Sequence, residues 1–121
     1  MTVKYMLLIY DDEQAWEKLA ETERHRILGE YMQFTQQIKS TGKYVMGAQL
    51  RQTLAATSVR IRNGKRVVTD GPFAETKEQL GGYFILHCND LDEAIKIAAK
   101  IPGAKDGSIE IRPIMEFAQM Q

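Results

Sequence analysis

Three observations predict an α+β fold, a ferredoxin-like sandwich whose mainly antiparallel sheet carries both helices on one face. First, extended apolar runs and helical periodicities follow one another in the order strand, helix, strand, hairpin, strand, helix, strand. Second, Asn63-Gly64 separates two short segments of β-branched and basic residues, the strongest short-range signal for a hairpin. Third, the central strands are apolar on both faces. Two helices on one side therefore leave a second apolar face to be covered.

The first strand is expected over Val3 to Tyr10, ended by the acidic pair Asp11 and Asp12. A short helix or ordered loop follows from Asp12 to Ala20, where Ala15, Trp16 and Leu19 fall at helical spacing and Trp16 covers the edge of the core. The main helix is expected from Thr22, as N-cap, to Ser40 or Thr41. Its apolar stripe is Ile27, Leu28, Tyr31, Phe34 and Ile38, and Gly42 supplies a left-handed C-cap. Tyr44 to Leu50 is the second strand, and "SVRIRNGKRVVT" the hairpin, with Val59 and Ile61 alternating with Arg60 and Arg62. A strand from Gly82 to Cys88 leads to a helix from Asp90 to Lys100, which has a capping-box pair in Asp90 and Glu93 and packs through Leu91, Ala94, Ile95 and Ala98. Pro102-Gly103 stops that helix. Ser108 to Ile114 is the last strand, drier on the face of Ile109 and Ile111.

The 121 residues suit a single domain spanning 1–121, and sixteen basic residues balance sixteen acidic ones. A neutral chain without a basic stripe is not the pattern of a nucleic-acid binder. "YMLLIY" is too short to span a bilayer, and neither a membrane span nor a signal peptide is expected. Cys88 is the sole cysteine, which fits core filling in a reducing cytoplasm. The uncovered apolar face leads to the expectation of a homodimer with two sheets packed face to face.

The stretch "DGPFAETKEQLGGYF", Asp70 to Phe84, is dense in glycine, proline and charge yet runs into an apolar strand. Pro72 stiffens the corner and biases Gly71 toward extended geometry, and Phe73 is expected to anchor it in the core. Ala74 to Gln79 suggests one helical turn, and Gly81-Gly82 a close backbone approach. This string, with "KYMLLIY", the Trp16 region, "TSVRIRNGK" and "DLDEAIKIAAKIP", resembles the DGPF group of the YCII-related family, small dimeric α+β barrel proteins. The resemblance spans nearly the whole chain.

Asp70 reads either as a carboxylate capping its own corner or as a general base or acceptor at a pocket rim. Glu75, Lys77 and Glu78 read as a solvated face. The resemblance implies a histidine on the first long helix paired with an acid. Here the expected place falls near Tyr31, so either His25 reaches the pocket from the helix start or Tyr31 has taken the position. The blander readings are an exposed His25, a core Tyr31 with a satisfied hydroxyl, and a satisfied, half-buried His87. Tyr5, Tyr31, Phe34 and Phe73 would line a ligand pocket between sheet and helix. No phosphate loop, dinucleotide fingerprint, nucleophile elbow or metal-ligand spacing is present, so no cofactor or metal is expected. Two functions follow. One is a small-molecule binder or enzyme using acid and base chemistry, on aromatic or lactone substrates if the resemblance extends so far. The other, also implied by the resemblance, is a non-catalytic accessory module linked to an extracytoplasmic-function sigma factor.

Overall fold

A computed structural model describes residues 2–116. Strand β1 (Val3–Asp11) leads through the short helix α1 (Glu13–Glu17) into the long helix α2 (Glu21–Ser40). Strand β2 (Tyr44–Gln49), a 3₁₀ turn (Thr53–Ala55) and the hairpin β3 (Thr57–Arg62) and β4 (Lys65–Asp70) follow. Strand β5 (Gln79–Cys88), helix α3 (Leu91–Ala98), a second 3₁₀ turn (Pro102–Ala104) and β6 (Ser108–Pro113) complete the order. The main sheet runs β2-β5-β1-β6 with every neighbouring pair antiparallel, the ferredoxin-like arrangement that the sequence predicts. β3 and β4 form a separate two-stranded sheet.

Alternation along β1 and β5 sorts the side chains. Tyr5, Leu7 and Ile9 of β1 and Phe84, Leu86 and Cys88 of β5 meet Phe34 and Ile38 of α2 and Ala94, Ile97 and Ala98 of α3 in one buried cluster. Both long helices thus lie on one face. Cys88 fills this core, and burial holds its thiol pKa above the ordinary value, which keeps it unreactive. The other face carries Met6 opposite Ile85 and Leu8 opposite Tyr83, all half-buried, and no described element packs over it. His87 lies on this face. Its Nδ1 is buried without a hydrogen-bond partner among the described residues, where a satisfied histidine was expected.

Local chemistry fixes the ends. Asp12 Oδ1 accepts from the backbone N–H of Gln14 at 2.9 Å and of Ala15 at 3.3 Å, capping α1. Asp90 Oδ1 accepts from Glu93 N–H at 2.8 Å, and Glu93 Oε1 in turn accepts from Asn89 N–H at 3.0 Å and from Lys43 Nζ at 2.9 Å. These bonds hold the Glu93 carboxyl below its usual pKa, Lys43 contributing most. Gly42 at φ +77° follows α2, and Asn63 at φ +52° with Gly64 at φ +75° makes the mirror-type turn of the hairpin.

Five expectations need correction. Helix α2 starts at Glu21 behind Ala20, which offers no side-chain cap, so Thr22 lies inside the helix; Glu21 and Glu23 favour the first turn through the helix dipole instead. Leu91 and Ile95 are about half exposed, and α3 buries Ala94, Ile97 and Ala98. Gly71 adopts φ +95°, a left-handed rather than extended corner, and donates its N–H to Ala56 O at 2.7 Å. Phe73 is 79% exposed and anchors nothing; Arg60 reaches its carbonyl at 3.0 Å. Residues 74–78 form bends rather than a helical turn, and β5 begins at Gln79, so Gly81 and Gly82 lie inside it. Their close approach to another segment is as expected: a Cβ on Gly82 would stand 2.8 Å from the Ala48 carbonyl oxygen. Among the described residues no helix is long and apolar enough to cross a membrane.

Candidate functional site

The C-terminal end of β1, the faces of α1 and α2 turned toward it, and the β2 and β5 edge of the sheet enclose a cleft of about 1050 Å³. Strand β1 contributes Ile9 and Asp11, α1 contributes Glu13 and Trp16, and α2 contributes Leu28, Tyr31 and Thr35. Tyr44, Gly47, Gly82, Tyr83 and Phe84 form the wall, and the segment from Leu50 to Ala55 forms the mouth. Bare glycines make the space. A Cβ on Gly47 would fall 2.8 Å from the Phe84 ring, so the strands close here only because it is absent. Phe84 is held in turn by edge-on contacts with Phe34 at 5.2 Å and Tyr44 at 6.4 Å between ring centroids.

Two groups give the cleft its chemistry. Tyr31 projects from α2, and its hydroxyl oxygen accepts the Gly103 N–H at 3.0 Å. That contact occupies a lone pair and leaves the phenolic proton to be donated. Burial pushes the Tyr31 pKa up, the Gly103 amide works against it, and the charge of nearby Asp11 adds to the rise. A Cβ on Gly103 would stand 2.6 Å from the Tyr31 hydroxyl, so a larger residue there would displace the phenol from its present position. Asp11 is half-buried at the end of β1. Among the described residues no donor or basic group pairs with its carboxylate, whereas Glu13, Glu78 and Asp12 all lie near enough to disfavour its charge. Burial is the larger cause, and together they raise its pKa. The Glu13 carboxylate is engaged structurally, accepting the Thr53 N–H at 2.8 Å and hydroxyl at 2.7 Å.

This arrangement has a pH signature. The folded protein holds the Asp11 proton more tightly than the unfolded chain does, whose carboxylate has a pKa of about 3.9. Its contribution to stability is present below that ordinary value and is lost as pH rises through the raised one. Asp11→Asn is therefore expected to be more stable than the parent at neutral pH, with the gap closing as pH falls through the carboxylate range. Urea midpoints measured across that range check this; a gap independent of pH would contradict it.

The residues singled out in the sequence are dispersed. Tyr31 lines the cleft. Tyr5 and Phe34 are 7% and 4% exposed and belong to the core beneath it rather than to its lining. Asp70 is exposed on a second, smaller hollow with Glu13, Thr53, Pro72, Glu75 and Gln79. No amide of residues 72–74 donates to it, so it does not cap its corner. Among the described residues that corner is held by Gly71 N–H and by Ser58 Oγ, which donates to Gly71 O at 2.8 Å. His25 is exposed on the first turns of α2 with Glu21 3.9 Å away, and it lines neither hollow. Asp70, His25 and Tyr31 are thus not brought together. The acid beside Tyr31 is Asp11, whose one signal in the sequence is a carboxylate closing an otherwise apolar strand. No group of three or more His, Cys, Asp or Glu among the described residues could hold a metal ion.

Fold and cleft together define an α+β protein with a ferredoxin-like sheet, an added hairpin, and an acid beside a phenol in an aromatic-walled cleft. The chain belongs to the YCII-related family: the YCII-related domain matches residues 3–118. It is also 37% identical over 112 residues, 91% of this chain and 90% of the other, to an uncharacterized protein of Rhizobium meliloti (strain 1021).

Proposed function

We propose that the protein binds a small, partly apolar molecule in the cleft and moves a proton on it, with Asp11 as base and Tyr31 as donor. The observation that carries this reading is an unpaired, half-buried carboxylate of raised pKa beside a phenol whose oxygen is fixed by the Gly103 amide. A carboxylate tuned upward holds a proton better than a free one, and a phenol whose oxygen already accepts an amide proton is aimed to donate its own. Tyr31 keeps the role expected of it, and Asp11 takes the part that the sequence offered to Asp70 or His25. Trp16, the sole tryptophan, lines the cleft and reports occupancy. Saturable quenching by small neutral aromatic alcohols is expected, and Leu28→Arg, which fills the cleft mouth from an exposed helix position, should abolish it. A flat titration across such compounds would remove the reading.

The group with the DGPF signature, Asp70 to Phe73, is the part of the family to which we assign the chain, in a reducing cytoplasmic setting suited to its buried free thiol. It acts as a homodimer closed through the open sheet face. Supporting this are Met6, Leu8, Tyr83 and Ile85, half-buried and contiguous on that face, and Met46 at 44% exposure beside Ile85. Light scattering is expected to give twice the chain mass for the parent, and the chain mass for Ile85→Glu with the circular dichroism of the fold retained. A parent that stays at the chain mass at every concentration would exclude the dimer.

A further inference from the structure

The electrostatic lining of the cleft says more about its ligand. Asp11 and Glu13 are the acids on its wall, with Glu78 and Asp12 close behind Asp11. Among the described residues no lysine, arginine or histidine forms an ion pair with Asp11, and none influences its carboxylate appreciably. Among the described residues Arg51 is the one base lining the cleft, and it stands on the exposed segment that follows β2, at the mouth. Gly81 lies next to Oδ1 of Asp11; a Cβ there would touch the carboxylate at 3.4 Å, so glycine leaves that edge without a side chain against it. Around it the wall carries Trp16 from α1 and Tyr31 from α2. A bare carboxylate in a negative, aromatic-walled recess disfavours an anion and attracts a cation, by direct charge-assisted hydrogen bonds and by the negative ring faces.

Resting on the reading of the cleft as a small-molecule site, we infer that its ligand is an organic amine, with the ammonium group donating to Asp11 and an apolar or aromatic body lying against Trp16 and Tyr31. Primary or secondary amines fit; a fully alkylated ammonium has no N–H to give the carboxylate. Binding of such a cation supplies the missing partner of Asp11 without any change in the fold. It also places a transferable proton between the ligand nitrogen and the carboxylate, so the same pair that holds the amine can take its proton, the nitrogen becoming neutral and Asp11 a carboxylic acid.

Three probes of one size separate the possibilities: benzylamine, benzyl alcohol and benzoate, titrated at neutral pH and constant salt with Trp16 fluorescence and calorimetry as readouts. Benzylamine is expected to bind about tenfold more tightly than benzyl alcohol, the usual size of a charge-assisted bond in a partly desolvated site, and benzoate not to compete. Asp11→Asn should bring the amine-to-alcohol ratio close to one, and Lys65→Gln, on the exposed hairpin outside the cleft, should leave the ratio unchanged. Equal binding of amine and alcohol, preference for benzoate, or a ratio that survives Asp11→Asn would overturn the inference and leave the cleft reading standing. Failure of all three probes to bind would overturn both.

Discussion

Leu86→Ala is expected to cost about 3 kcal/mol of folding stability, in the middle of the range for truncating a fully buried leucine. Leu86 is completely inaccessible and lies toward the C-terminal end of β5, in register with Tyr5 of β1 on one side and Tyr44 of β2 on the other. The void would open between the sheet and the helix layer, where Phe34 and Phe84 are held edge to face and cannot both turn into it. In a chain of this length the thermal midpoint should fall by about 10 °C. Urea denaturation should shift in midpoint with the slope unchanged. The same truncation at Leu54, 94% exposed, is expected to change stability by less than about 0.5 kcal/mol. Similar losses at the two positions would contradict the placement of the core.

Gly107→Ala is the second large effect. Its Cβ would overlap the carbonyl oxygen of Tyr10 and press on the Gly103 carbonyl oxygen at 3.2 Å. Both obstacles are backbone, so no rotamer change relieves them. The chain enters β6 directly afterwards, with Ser108 in register with Tyr10, and Gly107 N–H is tied to Gly103 O at 2.8 Å. Relief therefore requires β6 to draw away from the end of β1, at a cost of about 3 kcal/mol. The displacement also lands on the cleft, because Tyr10 precedes Asp11 and Gly103 holds the Tyr31 hydroxyl. Gly107→Ala should lower stability and weaken ligand binding together, as chemical denaturation and Trp16 titration would show. Gly29→Ala provides the contrast. That glycine lies within α2 with nothing within 4 Å of its Cβ position, and alanine there should stabilise the protein by up to about 1 kcal/mol.

What could be read from the sequence and what could not divides along physical lines. Asn63-Gly64 specified its turn because the local backbone preference and the flanking alternation agree. The order of strands and helices was legible for the same reason, as was the second apolar sheet face. The start of α2 was misplaced because Thr22 is a good capping residue by itself, yet the helix begins before it with no side-chain cap. Helix α3 is half legible: Ala94 and Ala98 pack as the sequence predicts, but Ile97 rather than Leu91 and Ile95 completes the buried stripe, because the face turned to the sheet is centred between the two alanines. Phe73 illustrates the limit of hydrophobicity as a guide, since a rigid corner can hold an aromatic ring outward. Asp11 was visible as a residue but not as part of a site. Its significance depends on where β1 ends relative to Tyr31 and Gly103, which are far apart in the chain and meet only through the sheet.

The central position of β1 has a bearing on how the chain reaches its fold during synthesis. β1 is made first, but its partners are β5 and β6, and the Tyr10 hydroxyl meets Glu110 across 100 residues of sequence. Until β5 and β6 have emerged, Leu7 and its apolar neighbours on both faces of β1 have no strand to pair with. Such long-range pairing folds slowly and leaves a sticky segment exposed in the meantime. The nascent chain is therefore expected to be a client for holding chaperones through its first strand, and to be released from them only when β6 closes the sheet.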